Sequence, residues 1–140
     1  MPAEKPRRLA PPFAQLDYLY TPSRDVAKDV KFFTEVLGGR LAFAIDAMGA
    51  RVAKIELSAG PPHILLTDHL EGERPVLVYR VADLDKSVSR LKNNGWKKGR
   101  AVELPVGPAF TFSSAGGHRI ALYEASRSFV EKSFEGRFDF

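Results

Sequence analysis

The chain has 140 residues, of which 44% are hydrophobic and 27% are charged, and these proportions are typical of one compact globular domain. It contains no cysteine, which excludes disulfides, iron–sulfur clusters, thiolate-bound zinc and a cysteine nucleophile. The net charge of +4 is scattered and no basic motif, signal peptide or membrane span is apparent, so we expect a cytoplasmic protein without nucleic-acid or membrane partners.

The first half of the chain predicts an arm, one helix and four strands. Residues 1–14 hold four prolines and three basic residues, a composition that indicates a flexible arm. A helix is predicted at 24–37 because apolar residues recur there at helical spacing, with Asp25 or Ser23 as its N-cap. The predicted strands are residues 16–20, 40–45, 51–57 and 63–68.

The second half repeats this order. A second helix is predicted at 83–94, beginning at Asp83 and ending at Gly95. The predicted strands are residues 75–81, 101–106, 109–114 and 118–124. Each half therefore has the order β-α-β-β-β.

The repeat is visible in the residues as well as in the pattern. Residues 58–68 align with 114–124 at an offset of 56 without a gap, and five of the eleven positions are identical. At an offset of 58, Asp25 aligns with Asp83 in the first turn of the second helix. Two such matches, in the same order and on the same kind of element, indicate a tandem duplication.

A duplicated β-α-β-β-β unit resembles the vicinal oxygen chelate superfamily, the group of glyoxalase I, extradiol dioxygenases, fosfomycin-resistance and bleomycin-resistance proteins. The resemblance rests on the phrases FFTEVLGGR, VYRVADLDKSVSRLKNNGW and SSAGGHRIALYE. It implies an α+β fold in one domain, residues 15–126, in which module one (15–70) and module two (74–126) form curved mixed sheets around a cleft. The tail at 127–140 carries four phenylalanines, so we expect it to pack on the domain or on a second subunit.

The resemblance also implies where a metal would be held. Metal enzymes of the superfamily place a histidine in the first strand of each module and a glutamate in the last strand of the second module. These positions correspond to Tyr18, Val76 and Ala121, and the counterpart of Ala121 in module one is Leu65. Only Tyr18 has a donor atom, so we expect no metal and no cofactor.

Strand alternation predicts which side chains face the cleft. The predicted ligand-binding residues are Tyr18, Tyr20, Leu65, Val76, Val78, Arg80, Arg119, Ala121 and Tyr123. Such a lining suits an aromatic or amphipathic molecule, and Arg80 would attract an acidic group. No catalytic residue is assigned. His63 is the candidate base, at the cleft rim near Arg119, and a hydrogen-bonded histidine without a catalytic role is the alternative.

Three functions from different classes remain open. The first is a metal-free protein of the bleomycin-resistance type that binds a metabolite or drug. The second is a lyase, isomerase or dioxygenase that uses non-standard metal ligands, or acid–base chemistry by His63 or Tyr18. The third is a regulatory or structural subunit with a filled cleft. In each case we expect a homodimer, because the phenylalanine-rich tail offers apolar surface.

Overall fold

The computed structural model describes residues 12–47, 49–96, 99–104 and 107–140. Its elements in chain order are β1 (Phe13–Pro22), α1 (Val26–Lys31) with a following π-helical turn (Phe32–Val36), β2 (Arg40–Ala47), β3 (Ala50–Glu56), β4 (His63–Thr67), β5 (Val76–Val81), α2 (Leu84–Asn93), β6 (Arg100–Leu104), β7 (Gly107–Ser113), β8 (Arg119–Tyr123) and α3 (Ser128–Phe134). Within these ranges no helix is long and apolar enough to cross a membrane.

The eight strands form one mixed sheet in the order β2-β3-β4-β1-β5-β8-β7-β6. Within each module the first and last strands are parallel neighbours, β1 with β4 and β5 with β8. The modules join where β1 and β5 run antiparallel. The predicted α+β class with two tandem β-α-β-β-β modules is therefore confirmed.

The ends of several predicted elements differ from the structure. The arm predicted at 1–14 is too long, because Phe13 and Ala14 belong to β1 and Phe13 pairs with Val81. The Phe13 ring lies 5.0 Å from that of Tyr79, so apolar packing extends the strand into the predicted arm. Residues 1–11 and the last two of the strand predicted at 101–106 lie outside the described residues. The helix predicted at 24–37 consists of α1 and the π-helical turn.

The two helices begin in the same way, as the duplication predicts. Asp25 accepts a hydrogen bond from the Lys28 backbone N–H at 3.1 Å, and Asp83 accepts one from Lys86 at 3.0 Å. Each carboxylate satisfies one of the free N–H groups at the start of its helix. The structure thus selects Asp25 as the first N-cap, while the Ser23 hydroxyl donates to Asp29.

The core lies on both faces of the sheet. On one face, α1 packs on residues of β2, β3 and β4, and α2 packs on residues of β7 and β8. On the opposite face an apolar cluster spans both modules; its buried members are Tyr18, Val76, Val78, Ala109, Ala121 and Tyr123. The third helix packs on this second face, where Phe134 lies 5.6 Å from the ring of Phe43. The second face therefore forms the cleft between the modules.

The residues after α3 follow the outer edge of β2. Gly136 donates to the Ala42 carbonyl at 2.8 Å, and Ala44 donates to the Arg137 carbonyl at 2.9 Å. Phe138 forms a parallel bridge with Ala44. Since β2 is the first strand of the sheet, the tail pairs backbone groups that would otherwise be exposed at this edge.

Candidate functional site

A cavity of about 230 Å³ opens where β1, β5 and β8 meet α3. Its lining residues are Gln15, Asp17, Tyr18, Pro61, His63, Arg80, Tyr123, Ala125 and Glu131. They come from both modules and from the tail. The cavity is therefore the cleft that the duplicated fold predicts, narrowed by a helix that the duplication does not contain.

A buried carboxylate, Asp17, lies at one end of the cavity. It accepts hydrogen bonds from the Tyr123 hydroxyl and, at 2.6 Å, from the Gln15 amide. The Arg80 Nε lies 3.4 Å from the same carboxylate and compensates its charge. The pairing of β1 with β5 shifts register between Leu16 and Tyr18, which explains how two consecutive residues of one strand both line the cavity.

A second carboxylate, Glu131, reaches the cavity from α3. Its Oε2 accepts from the Tyr18 hydroxyl at 2.5 Å, and its Oε1 accepts from the Lys54 ammonium at 2.6 Å. The Lys54 side chain is only 12% exposed, and its Nζ lies 5.8 Å from the centre of the Tyr18 ring. Glu131 is thus held by one phenol and one ammonium, and its charge is balanced locally.

The two cleft tyrosines are hydrogen-bond donors. Burial raises the pKa of Tyr18 well above its usual value, and the hydrogen bond to Glu131 raises it further. Burial likewise raises the pKa of Tyr123, with the hydrogen bond to Asp17 as the second cause. Both phenols therefore remain protonated at neutral pH. This weakens the expectation that Tyr18 could act as a base.

His63 lines the cavity beside an acidic residue rather than beside Arg119. Its Nε2 lies 3.8 Å from Glu56 Oε2, and its side chain is 13% exposed. Its Nδ1 is buried and has no hydrogen-bond partner in the described structure. Burial pushes the pKa of Glu56 upward, but the hydrogen bond from Arg40 and nearby cations outweigh it, and the pKa is lowered. Glu56 is therefore a carboxylate at neutral pH that lies beside His63 Nε2, at a distance beyond that of a direct hydrogen bond.

Arg119, predicted at the cleft rim, is not among the residues that line the cavity. Its guanidinium donates to the backbone carbonyls of Glu71 and Arg74, in the segment that connects the modules. The long side chain turns away along the surface to satisfy two carbonyl acceptors, so strand alternation does not determine where its charge lies. Arg119 therefore fixes the connection and does not line the cavity.

The other predicted ligand-binding residues occupy three kinds of place. Tyr18, Arg80 and Tyr123 line the cavity. The aliphatic ones lie in or against the cluster beneath it: Leu65, Val76, Val78 and Ala121. Tyr20 packs against the same cluster, and its hydroxyl is hydrogen-bonded to His69 outside the cavity lining.

Sequence reasoning missed several residues of the cleft, above all Asp17, Lys54 and Glu131. Asp17 carried a signal, since an acidic residue in the apolar strand LDYLY needs a partner if it is buried. Glu131 carried none, because it lies 113 residues from its partner Tyr18 in a tail without a matching repeat.

The superfamily's metal positions do not fit a metal here. Tyr18, Val76 and Ala121 are buried in one cluster and Leu65 packs against it, so the four positions share one part of the cleft. Only Tyr18 has a donor atom, and its hydroxyl donates to Glu131. Across the described ranges, no group of three or more histidine or carboxylate side chains is arranged to hold a metal ion.

Solved structures with the same fold are numerous. The methylmalonyl-CoA epimerase from Mycobacterium tuberculosis matches 89% of this chain and 97% of its own at 20% identity, with a TM-score of 0.69. A superfamily member from Vibrio splendidus 12B01 matches 76% and 94% at 16% identity and a TM-score of 0.56. A catechol 2,3-dioxygenase matches 81% of this chain and 40% of its own at 15% identity and a TM-score of 0.62. At these identities the likeness shows the fold alone.

Comparison of sequences gives the family. No curated protein sequence matches the chain significantly. A sequence model described as the Glyoxalase/Bleomycin resistance protein/Dioxygenase superfamily matches residues 15–122, which span both modules and most of the cleft. The chain therefore belongs to the glyoxalase/bleomycin resistance protein/dioxygenase superfamily.

Proposed function

We propose that the protein binds a small aromatic molecule, uncharged or weakly acidic, in the cleft without a metal or other cofactor. The observation that carries this proposal is a cavity lined by Tyr18 and Tyr123, in which the negative charge of each carboxylate is already compensated. Arg80 compensates Asp17, and Lys54 compensates Glu131. A cleft with balanced charges does not require a cationic ligand. Aromatic walls with a few polar groups favour an organic ring.

The size and the remaining donors narrow the ligand class. A volume of about 230 Å³ is below the range of roughly 300–1,000 Å³ that holds drug-sized molecules, which favours a single ring. The Arg80 side chain is 43% exposed, so its guanidinium is accessible to a ligand carboxylate or phenolate. His63 also lines the cavity, and its buried Nδ1 has no hydrogen-bond partner in the described structure.

A thermal-shift screen with benzoate, 4-hydroxybenzoate and catechol tests this proposal. Binding to the folded state should raise the melting temperature, and Arg80→Gln should weaken binding of benzoate by about tenfold, as expected for loss of a charged hydrogen bond. Arg24→Gln is the matched control, because Arg24 is an exposed arginine paired with Glu73. Equal benzoate binding by all three proteins, or a ligand located elsewhere on the surface, would contradict the proposed site.

The absence of a metal requires its own measurement. Protein purified without a histidine tag should contain far less than one equivalent of zinc, iron, manganese or nickel by elemental analysis. Added divalent ions should not change the benzoate response, since only Tyr18 among the superfamily positions has a donor atom. A stoichiometric metal in the purified protein would mean that other residues bind it.

An enzymatic function is the second candidate, supported by His63 beside Glu56. A cavity histidine near a carboxylate can move a proton to or from a bound molecule, as a lyase or isomerase requires. Catalytic turnover that disappears in His63→Ala, with benzoate still bound, would transfer the protein to this class. Unchanged turnover in that variant would exclude His63 as the base.

We further propose that the protein is a cytoplasmic homodimer in which ligand binding sequesters a metabolite or drug. Several large apolar side chains are exposed when the chain is considered alone, among them Phe32, Val36 and Phe129. Burial of such side chains between two copies would stabilise an assembly. Light scattering should give twice the 15.5 kDa chain mass at micromolar concentration. A stable monomer would contradict this part of the proposal.

A further inference from the structure

Glu131 lies between two cavities. The first is the cavity of about 230 Å³ described above. The second has a volume of about 440 Å³ and is lined by Lys54, Glu131, Lys132 and Glu135. In the described part of the chain, Glu131 is the one lining residue that the two cavities share. Its side chain therefore borders both cavities, as a wall that they share.

The carboxylate of Glu131, at the end of this side chain, is held by two hydrogen bonds. The Glu131 carboxylate is bound on one oxygen by the Tyr18 hydroxyl at 2.5 Å and on the other by the Lys54 ammonium at 2.6 Å. Both partners lie on strands of the sheet, which hold them in place. A ligand that extended from the first cavity into the second would have to break at least one of these charged hydrogen bonds.

The helix that carries Glu131 is also held on the sheet, by contacts at its C-terminal end. Phe134 packs on Phe43 with 5.6 Å between ring centres. Glu135 pairs with Arg40, which also binds Glu56 at 2.6 Å. Since these contacts at the C-terminal end of α3 do not involve Glu131, removal of that one carboxylate should leave the helix on the sheet.

We infer that Glu131 determines ligand size in this protein: it closes the ligand cavity to molecules longer than one ring, and its removal joins the two cavities into one site. This rests on the proposed function for the ligand class, and it adds the residue that limits the ligand. Glu131 is thus a specificity-determining residue supplied by the tail rather than by the duplicated modules.

The variants are chosen so that folding does not decide the result. Glu131→Ala alone leaves the largely buried Lys54 without its closest partner, with Glu56 at 3.9 Å remaining. The double variant Lys54→Met with Glu131→Ala removes both charges together and avoids an uncompensated ammonium. Ser133→Ala is the control, because Ser133 is exposed on the same helix and donates only to the Val130 carbonyl.

Calorimetric titration with two probes measures the size limit. Benzoate has one ring, and biphenyl-4-carboxylate has the same acidic group on a rod of two rings. The wild type and the control should prefer benzoate, and both Glu131 variants should shift the ratio of affinities toward the biphenyl compound by about tenfold or more. A ratio unchanged in both variants, with benzoate still bound, would overturn the inference.

A crystal structure of the double variant gives a second, independent result. One continuous cavity across the former Glu131 position would support the inference even if neither carboxylate binds to any of the proteins, and that lack of binding would count against the proposed function alone. Two cavities still separated, because α3 has shifted to fill the space, would overturn the inference whatever the binding results.

Discussion

At the residue scale, the cleft is built from two pairs of a tyrosine and a carboxylate. Tyr123 donates to Asp17, and Tyr18 donates to Glu131. A buried carboxylate is costly unless charged or polar donors satisfy it, and each of these also has a cation nearby. The pairs therefore keep two charges inside the cleft while leaving the tyrosine rings as its walls.

The tyrosines predict how stability depends on pH. The pKa values of Tyr18, Tyr20 and Tyr123 are raised, with burial as the largest cause. In the unfolded chain these phenols ionise near pH 10, so that as pH rises the unfolded state loses protons before the folded state does. Their contribution to the free energy of unfolding should be complete below about pH 10 and should decline above it.

Urea unfolding at pH 9 and pH 11, together with absorbance of tyrosinate at 295 nm, measures this effect. The Tyr123→Phe variant lacks one of the titrating groups, so it should lose less stability between the two pH values than the wild type does. Comparison with this variant removes the contribution of lysines that titrate in the same range. An equal loss in both proteins would show that Tyr123 ionises in the folded state as readily as in the unfolded chain.

Only part of this site could be predicted from single residues. Alternation in the strands placed Tyr18, Arg80 and Tyr123 at the cavity correctly, because their strands keep a regular period there. It could not find Asp17, because the register shift in β1 turns consecutive residues toward one side. It could not place the charge of Arg119, which donates to the Glu71 carbonyl, because a long side chain can bond well away from its Cβ direction.

At the element scale, helix starts were predictable because a short side chain determines them locally. Asp25 and Asp83 occupy equivalent positions in the two modules, and each caps its helix through the same hydrogen bond. Strand positions were also predictable from alternation and from glycine and proline between them. The third helix was expected only as a packed tail, since its place depends on contacts with distant strands, such as Phe134 on Phe43.

The caps give a prediction for each helix. Replacing Asp25 or Asp83 by alanine should lower the free energy of unfolding by about 1 kcal/mol, because a backbone N–H then loses its acceptor. The effects should add in the double variant, since the two caps share no partner. Chemical denaturation of each variant measures these changes.

Asparagine at the same positions is the control, because its side-chain oxygen can also cap a helix. Asp25→Asn and Asp83→Asn should therefore retain most of the stability. A loss as large as that of the alanine variants would mean that the negative charge near the helix start matters more than the hydrogen bond.

At the scale of the whole molecule, the two modules share one core across their junction. Tyr18 of module one is buried in the same cluster as Val78 and Tyr123 of module two. In the sheet, Tyr18 pairs with Val78 across the antiparallel junction of β1 and β5. Separation of the modules would expose this cluster and the floor of the cleft, so neither module has a complete core of its own.

This junction predicts that the chain unfolds as one cooperative unit. The single tryptophan, Trp96, packs on Phe110 and Phe112 and therefore reports on module two alone. Far-ultraviolet circular dichroism reports on the strands and helices of both modules. Because the shared cluster couples the modules, urea transitions followed by tryptophan fluorescence and by circular dichroism should coincide. Val78→Ala should shift both transitions together to lower urea by removing methyl groups from the junction. A fluorescence transition separated from the circular dichroism transition in the wild type would instead mean that the duplicated modules fold independently.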